Sequence, residues 1–163
     1  MKCTLCENTK PLKKERVTVK YKECGLDNVT LIGITYYKCH QCGEEYFSYG
    51  NIEDLHKIIA QVLLRKSGFL TGKEVRFLRK QLGYSGQMFA KLIGYEHETL
   101  SRLENGKQPI TPAFDRVIRF SVAERIHDRN YDLHDALLKG GEKFRRIELT
   151  STSHGDWKLK LAA

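Results

Sequence analysis

Two pairs of cysteines restrict the fold of the N-terminal part of this chain more than any other sequence feature. Cys3 and Cys6 form one C-x-x-C pair, Cys39 and Cys42 form the other, and 32 residues separate them. Together they supply the four thiolates of the tetrahedral shell that zinc prefers. A disulfide or redox role is the alternative, but a redox motif needs only one pair. The spacing predicts one structural zinc ion per chain, with no coordination position open for a substrate.

The segment between the two pairs has the pattern of a β-hairpin. Residues 16–21 alternate apolar and polar side chains, residues 29–37 are rich in β-formers, and residues 24–28 have the composition of a turn. Because so small a unit cannot bury a large core, the metal should supply much of its folding free energy. We expect Cys24, in the turn, to bind no metal, and His40 to face solvent or support the site from outside the ligand shell.

A helix is predicted after this hairpin. Asn51 is a capping residue with acids behind it, and an apolar stripe from Leu55 to Leu63 continues the pattern to about Lys66. Gly68 follows, and we place a domain boundary there.

Residues 83–106 have the pattern of two short helices joined by a tight turn. Ser85 can cap the first helix and Gly94 can end it, while Leu100 and Leu103 give the second an inward face. The first helix should pack through the apolar residues Met88, Phe89, Leu92 and Ile93, and the second should present outward His97, Glu98, Ser101 and Arg102. This arrangement predicts a helix-turn-helix whose second helix lies in the major groove of double-stranded DNA.

Further helices flank this pair. Thr71 and Glu74 form a capping box before an apolar face, and Thr111 with Pro112 starts a helix that runs to about Asn130 through Phe114, Val117, Ile118 and Val122. Beyond it we expect a short helix over residues 133–138 and two strands over residues 146–149 and 157–161. These strands can pair with a second subunit or a partner, or pack on their own domain.

The predicted fold is therefore α+β with two domains. Residues 1–68 form a zinc-bound β-hairpin domain with a connecting helix, residues 69–130 form a helical DNA-binding domain, and residues 131–163 form an extension with a β-hairpin.

Composition and charge agree with a nucleic-acid partner. Lys and Arg number 28 against 20 Asp and Glu, a formal charge of +8 that favours a polyanion. No apolar run is long enough to cross a membrane and the N-terminus lacks the apolar core of a signal peptide, so we expect a cytoplasmic protein. No catalytic motif is present, and we expect no enzyme.

The two halves together resemble the MqsA-type (YgiT-type zinc finger) antitoxin family. The resemblance is carried by both C-x-x-C pairs and by the segments at residues 71–79, 89–90 and 101–106. The helical half separately resembles the Xre and Cro-like repressors. The resemblance implies a homodimer that represses a palindromic operator, and an N-terminal zinc domain that neutralises a toxin protein. The alternative is a zinc-containing transcriptional regulator with no toxin partner.

The resemblance also assigns roles to residues. Arg79 and Glu104 match a buried ion pair that ties the first helix of such domains to the recognition helix. The residues expected to contact DNA are His97, Glu98, Thr99, Arg102, Gln87, Asn105 and Lys107. Arg102 is the best base reader, because a guanidinium can bond guanine O6 and N7 together.

Two positions depart from the Xre-like pattern. The glutamine that commonly starts the second helix is displaced by one position, with Gly86 in its place and Gln87 after it. Glu96 stands where Ser or Thr usually begins the recognition helix. Because Glu96 and Glu98 bring negative charge towards DNA, we expect cations elsewhere to supply affinity, fewer than half of them in contact: Lys73, Lys91, Lys107, Arg116, Arg119 and Arg125.

Overall fold

The computed structural model describes residues 2–6, 11–128, 131 and 146–162. Its elements, in chain order, are β1 (Lys13–Lys20), β2 (Val29–Lys38), β3 (Glu45–Ser48), α1 (Ile52–Arg65), α2 (Gly72–Gln81), α3 (Gly86–Leu92), α4 (His97–Glu104), α5 (Pro112–Arg125), β4 (Arg146–Ser151) and β5 (Trp157–Ala162). The expected short helix over residues 133–138 lies outside the described residues.

The N-terminal hairpin is confirmed, and the structure adds strands to it. β1 and β2 pair antiparallel, and Lys13 opposite Lys38 is the pair nearest the cysteines. A third strand that the sequence analysis did not predict, β3, pairs with the second half of β2. β2 is therefore the central strand of this part of the molecule.

The C-terminal strands join the same sheet. β4 lies parallel to the first half of β2, with Val29 opposite Ile147, and β5 pairs antiparallel with β4. Of the alternatives left open by the sequence, the structure shows the hairpin packed within its own chain. The sheet order is β1-β2-β4-β5, with β3 beside β2.

Helix α1 lies between this sheet and the remaining helices. Asn51 caps its first turn by accepting from the backbone N–H of Asp54, as predicted. The C-terminal hairpin holds the same turn, because the Trp157 indole donates to the Asn51 carbonyl at 3.1 Å and its backbone N–H donates to the Asp54 carboxylate at 3.2 Å. The C-terminal hairpin is thus fixed to the start of α1.

The apolar core is continuous from the sheet to the helices. Leu31 and Ile34 of β2, Leu63 of α1 and Ile118 of α5 are fully buried in one cluster. A smaller cluster contains Cys3, Cys39 and Leu12.

The packing faces of two helices differ from the prediction. In α3, Phe89 and Ala90 are buried, whereas Met88 and Leu92 are 60% and 59% exposed. The reason is helical geometry: Met88 and Leu92 form their own i, i+4 row, about 100° around the axis from the row that reaches the core. Val117 of α5 is likewise exposed, because the buried row of that helix runs through Phe114, Ile118 and Val122.

Arg119, one of the candidate cations for phosphate, has a structural role. Its side chain is buried beside Asp115, which accepts from its Nε at 2.8 Å and also accepts from the backbone N–H of Leu70. The guanidinium donates to four carbonyl oxygens at and beyond the end of α1, those of Leu63, Leu64, Lys66 and Gly68. Arg119 therefore caps α1 from α5, and because it is buried it is not one of the cations available to phosphate.

Candidate metal centre and nucleic-acid interface

The four cysteines of the C-x-x-C pairs meet at the open end of the β1–β2 hairpin. Their sulfur atoms all lie within 4.8 Å of one another. The Sγ atoms of Cys3 and Cys42 are 3.6 Å apart, and so are those of Cys6 and Cys39. The hairpin produces this arrangement, because one pair precedes β1, the other follows β2, and the two strands are in register there.

These distances fit a zinc ion. Four sulfurs at the usual Zn–S distance of about 2.3 Å stand roughly 3.8 Å apart in a tetrahedron. The pKa shifts differ among these cysteines. Hydrogen bonds lower the pKa of Cys3 to about 6, the largest effect coming from the Tyr46 hydroxyl and the next from the backbone N–H of Cys6. The pKa of Cys39 is also lowered, chiefly by the backbone N–H of Cys42. The Glu44 backbone N–H has a lowering effect on the pKa of Cys42, but burial and hydrogen bonds with the other cysteines outweigh it and raise that pKa to about 12. The cluster is therefore compatible with a structural zinc site.

Tyr46 of β3 supports this cluster from outside the set of four sulfurs. Its hydroxyl lies 3.3 Å from the Cys3 sulfur. The backbone N–H of Thr4 donates to the same hydroxyl at 3.2 Å, and the Thr4 Oγ1 atom lies 3.0 Å from it. Tyr46 was not predicted from the sequence, since only the pairing of β3 with β2 brings residue 46 to residue 3.

Two further residues that can bind metal, Cys24 and His40, lie outside the cluster of four cysteines. Cys24 donates from its thiol to the Tyr21 carbonyl oxygen at 3.3 Å, and burial raises the pKa of this thiol. His40 is exposed and is not a member of the cluster. Both positions agree with the sequence analysis.

The helix-turn-helix is formed by α3 and α4. Ser85 accepts from the backbone N–H of Met88 at 3.2 Å and so caps α3, as predicted. Gly94, with φ +71°, makes the turn between the helices. Glu96 occupies the N-cap position of α4 but makes no side-chain cap hydrogen bond.

Arg79 and Glu104 form a buried ion pair between α2 and α4. The Arg79 guanidinium donates to both carboxylate oxygens of Glu104 and to the carbonyl of Tyr84. Arg76, one turn earlier on α2, donates to Glu104 at 3.2 Å and to the Asn105 side chain at 2.8 Å. Two arginines therefore fix the end of α4. The role of Arg76 was not predicted from the sequence, although its i, i+3 spacing from Arg79 places both on one helix face.

The exposed face of α4 carries the predicted base-reading residues. His97, Glu98 and Arg102 are exposed, and Thr99 is half-buried. Within the described part of the chain, the Arg102 guanidinium has neither a hydrogen-bond nor an ion-pair partner. Its five donors are therefore available to an external ligand.

The predicted DNA-contacting residues before and after α4 differ in whether their side chains are free to bind DNA. Gln87 and Lys107 are exposed. The Asn105 amide is already engaged: it donates to the Ser101 carbonyl at 2.8 Å and accepts from Arg76. Asn105 is exposed, but both ends of its amide are hydrogen-bonded within the chain. Its first role is therefore as the C-cap residue of α4.

In the ranges that the structure describes, four of the six candidate cations are both exposed and unpaired. Of the other two, Lys73 is exposed but forms an ion pair with Asp27, and Arg119 is buried. Lys91, Lys107, Arg116 and Arg125 are exposed, and in the described residues no carboxylate pairs with any of them. These four remain as candidates for phosphate contacts.

Comparison with known families supports the helical half. Residues 75–120 match the family model described as HTH_3, helix-turn-helix. The matched range begins within α2 and ends within α5, so it contains the α3–α4 pair and the Arg79–Glu104 contact. No curated protein and no solved structure matches the chain. In the described residues no helix is long and apolar enough to span a membrane. The chain therefore contains a helix-turn-helix domain, which supports a DNA-binding transcriptional regulator as its class.

Proposed function

We propose that this protein is a sequence-specific repressor that binds a palindromic operator as a homodimer, and that it is the antitoxin of a type II toxin–antitoxin pair. The observation that carries DNA binding is the helix-turn-helix match over residues 75–120, with Arg102 free on the exposed face of α4. A repressor works where the chromosome lies, so we place the protein in the cytoplasm. Its role is binding, without catalysis.

Substitution of Arg102 tests whether the protein reads a specific base sequence. A guanidinium that bonds one guanine edge contributes about 1–3 kcal/mol of discrimination between bases. Operator fragments selected from random DNA by the purified chain provide the probe. Arg102→Ala should lower affinity for the selected site roughly tenfold or more while leaving weak, salt-dependent binding to unrelated DNA.

Arg116 provides the matched control, as an exposed arginine on α5 rather than on α4. Arg116→Ala should weaken binding to selected and unrelated DNA by similar factors, because a phosphate contact carries no base information. Equal affinity of the wild-type chain for every DNA sequence would reject specific readout.

We also propose that Cys3, Cys6, Cys39 and Cys42 hold one structural zinc ion. When bound, zinc links the two ends of the hairpin. The metal content of the purified chain, measured by mass spectrometry, should be about one zinc per chain. Cys39→Ser should lose the metal and unfold the sheet, whereas Cys24→Ser should retain it, since Cys24 lies outside the cluster.

The antitoxin role rests on the resemblance of the two halves together to the MqsA-type family. A small toxin encoded by the adjacent gene should form a complex with the full chain, and Arg102→Ala should leave that complex intact. Selective loss of binding in a variant of the zinc half would place the toxin there. A regulator with specific DNA binding and no neighbouring toxin is the second candidate.

A further inference from the structure

Helices α3 and α5 expose large apolar side chains on the outside of the DNA-binding half. Met88 is 60% exposed and Leu92 59% on α3, and Val117 is 45% exposed and Phe120 57% on α5. Met88 and Leu92 are one turn apart, and so are Val117 and Phe120, so each pair forms a continuous apolar row. Four such residues on two neighbouring helices differ from the scattered apolar side chains that any surface carries.

The two rows border one depression. Leu92 and Phe120 line it together with Leu82 and Tyr84, and its volume is about 280 Å³. Glu124 and Arg125 of α5 lie at the same depression. We call this surface, with Met88 and Val117 beside it, the α3–α5 groove. No residue of α4 lines the depression, so a partner seated there leaves Arg102 free.

The charges at the groove indicate what can cover it. Glu124 and Arg125 are consecutive and exposed, and in the described residues neither has an ion-pair partner. They are opposite in sign, so a partner of uniform charge would leave one of them facing a like charge. A second copy related by a twofold axis can place its Arg125 against Glu124 and its Glu124 against Arg125.

The apolar side chains of the groove are also suited to self-association. Each of the four is between 45% and 60% exposed, and apolar patches of this kind on single chains tend to be functional. A stable interface buries about 800 Å² on each partner, of which the apolar centre is one part and a polar rim the remainder. The groove and the charged residues beside it supply both parts.

We propose that the α3–α5 groove is the interface through which two copies of this chain associate. The biological role of this dimer rests on the proposed function, because a twofold dimer presents two recognition helices to operator half-sites about 34 Å apart. The interface itself is defined without DNA, by Leu92 and Phe120 packing across the axis and by Glu124 pairing with Arg125 of the second copy.

Sedimentation velocity of the full chain without DNA tests this. The wild type should sediment as a dimer at micromolar concentration and Phe120→Glu as a monomer, because the new carboxylate would be buried against apolar side chains. Phe69→Glu is the matched control, since Phe69 is 56% exposed and lies between α1 and α2, away from the groove. It should remain a dimer. A wild-type monomer, or a dimer that survives Phe120→Glu, would overturn the proposal.

Charge reversal gives a second test, in which rescue by a double variant separates loss of the interface from loss of folding. Glu124→Arg and Arg125→Glu should each weaken the dimer roughly tenfold, since each places like charges together twice across the axis. The double variant restores opposite charges and should return the dissociation constant to near the wild-type value. A double variant as weak as either single one would count against the pairing.

The same variants separate this proposal from DNA binding. Arg102→Ala should sediment as a dimer while losing base preference, and Phe120→Glu should keep its base preference at a half-site with lower affinity. A chain that dimerises through the groove but binds no DNA would reject only the proposed function. A specific DNA-binding dimer that survives Phe120→Glu would reject only the interface, whereas a wild-type monomer would reject both the interface and the proposed homodimer.

Discussion

Gly72 of α2 lies so close to Leu103 of α4 that a Cβ at position 72 would stand 2.4 Å from the Leu103 carbonyl oxygen. The Glu104 carbonyl oxygen would be 2.6 Å away. Both are backbone atoms, so they cannot rotate out of the way. The close contact between the start of α2 and the end of the recognition helix therefore requires glycine at this position.

Gly72→Ala should lower the free energy of unfolding by about 1–3 kcal/mol, because the helices must move apart to admit the methyl group. The measurement is urea unfolding followed by circular dichroism. Gly86→Ala is the control: Gly86 also begins a helix, but its Cβ would meet only the His97 imidazole, at 3.0 Å, and that side chain can rotate. Equal losses in the two variants would contradict the backbone explanation.

Arg119→Met should destabilise the fold by about 3 kcal/mol, since it leaves the buried Asp115 carboxylate and the carbonyls at the end of α1 without their donor. The same unfolding measurement applies. Arg116, exposed on the same helix, provides the control, and Arg116→Met should change stability by no more than about 0.5 kcal/mol. A similar small effect for Arg119→Met would show that the cap contributes little.

Tyr46→Phe should accelerate zinc loss, because the Cys3 sulfur loses the hydroxyl hydrogen bond that stabilises its negative charge. We expect about a tenfold change in the rate at which a chelator removes the metal, within the range that partners of metal ligands produce. Tyr37→Phe is the control, since Tyr37 packs against the same cysteines but makes no hydrogen bond to sulfur. Faster loss in both variants would assign the effect to packing.

Stability should fall as the pH drops below about 6.5, in part because of His56. Burial lowers the pKa of His56 from its usual 6.5, and its Nε2 lies 3.0 Å from the Tyr21 hydroxyl. The unfolded chain then binds the proton more readily than the folded one, so this stabilisation is present above pH 6.5 and is lost below it.

The change in unfolding free energy between about pH 7.5 and about pH 5.5 measures this effect, and it should be smaller in His56→Gln than in the wild type. His154→Gln, in the exposed turn before β5, should keep the wild-type dependence. The cysteines are common to all three proteins, so their titration cancels in the comparison. If His56→Gln keeps the pH dependence of the wild type, His56 does not contribute to the loss of stability at low pH.

Local signals predicted much of the fold. The capping box at Thr71 and Glu74 and the cap at Ser85 form as expected, since each is a hydrogen bond within one turn of chain. The cysteine spacing also predicted which four sulfurs meet. The base-reading role of Arg102 stays a prediction, although the structure leaves its side chain free.

The contacts that the sequence did not predict join residues far apart in the chain. The strand periodicity around Ile147 does not specify a partner, and only the assembled sheet places β4 parallel to β2. Arg119 and Arg116 have the same charge on one helix, yet one is buried as a cap and the other is exposed.

The hairpin, the cluster of four cysteines and the helix-turn-helix could all be predicted from the sequence, because alternating residues, the C-x-x-C spacing and helix caps are local patterns. Three features emerge only when the chain is folded: the C-terminal strands complete the N-terminal sheet, Tyr46 contacts Cys3, and α3 and α5 leave an apolar groove exposed. Burial and long-range pairing depend on how all the elements pack together, and no single stretch of sequence specifies that packing.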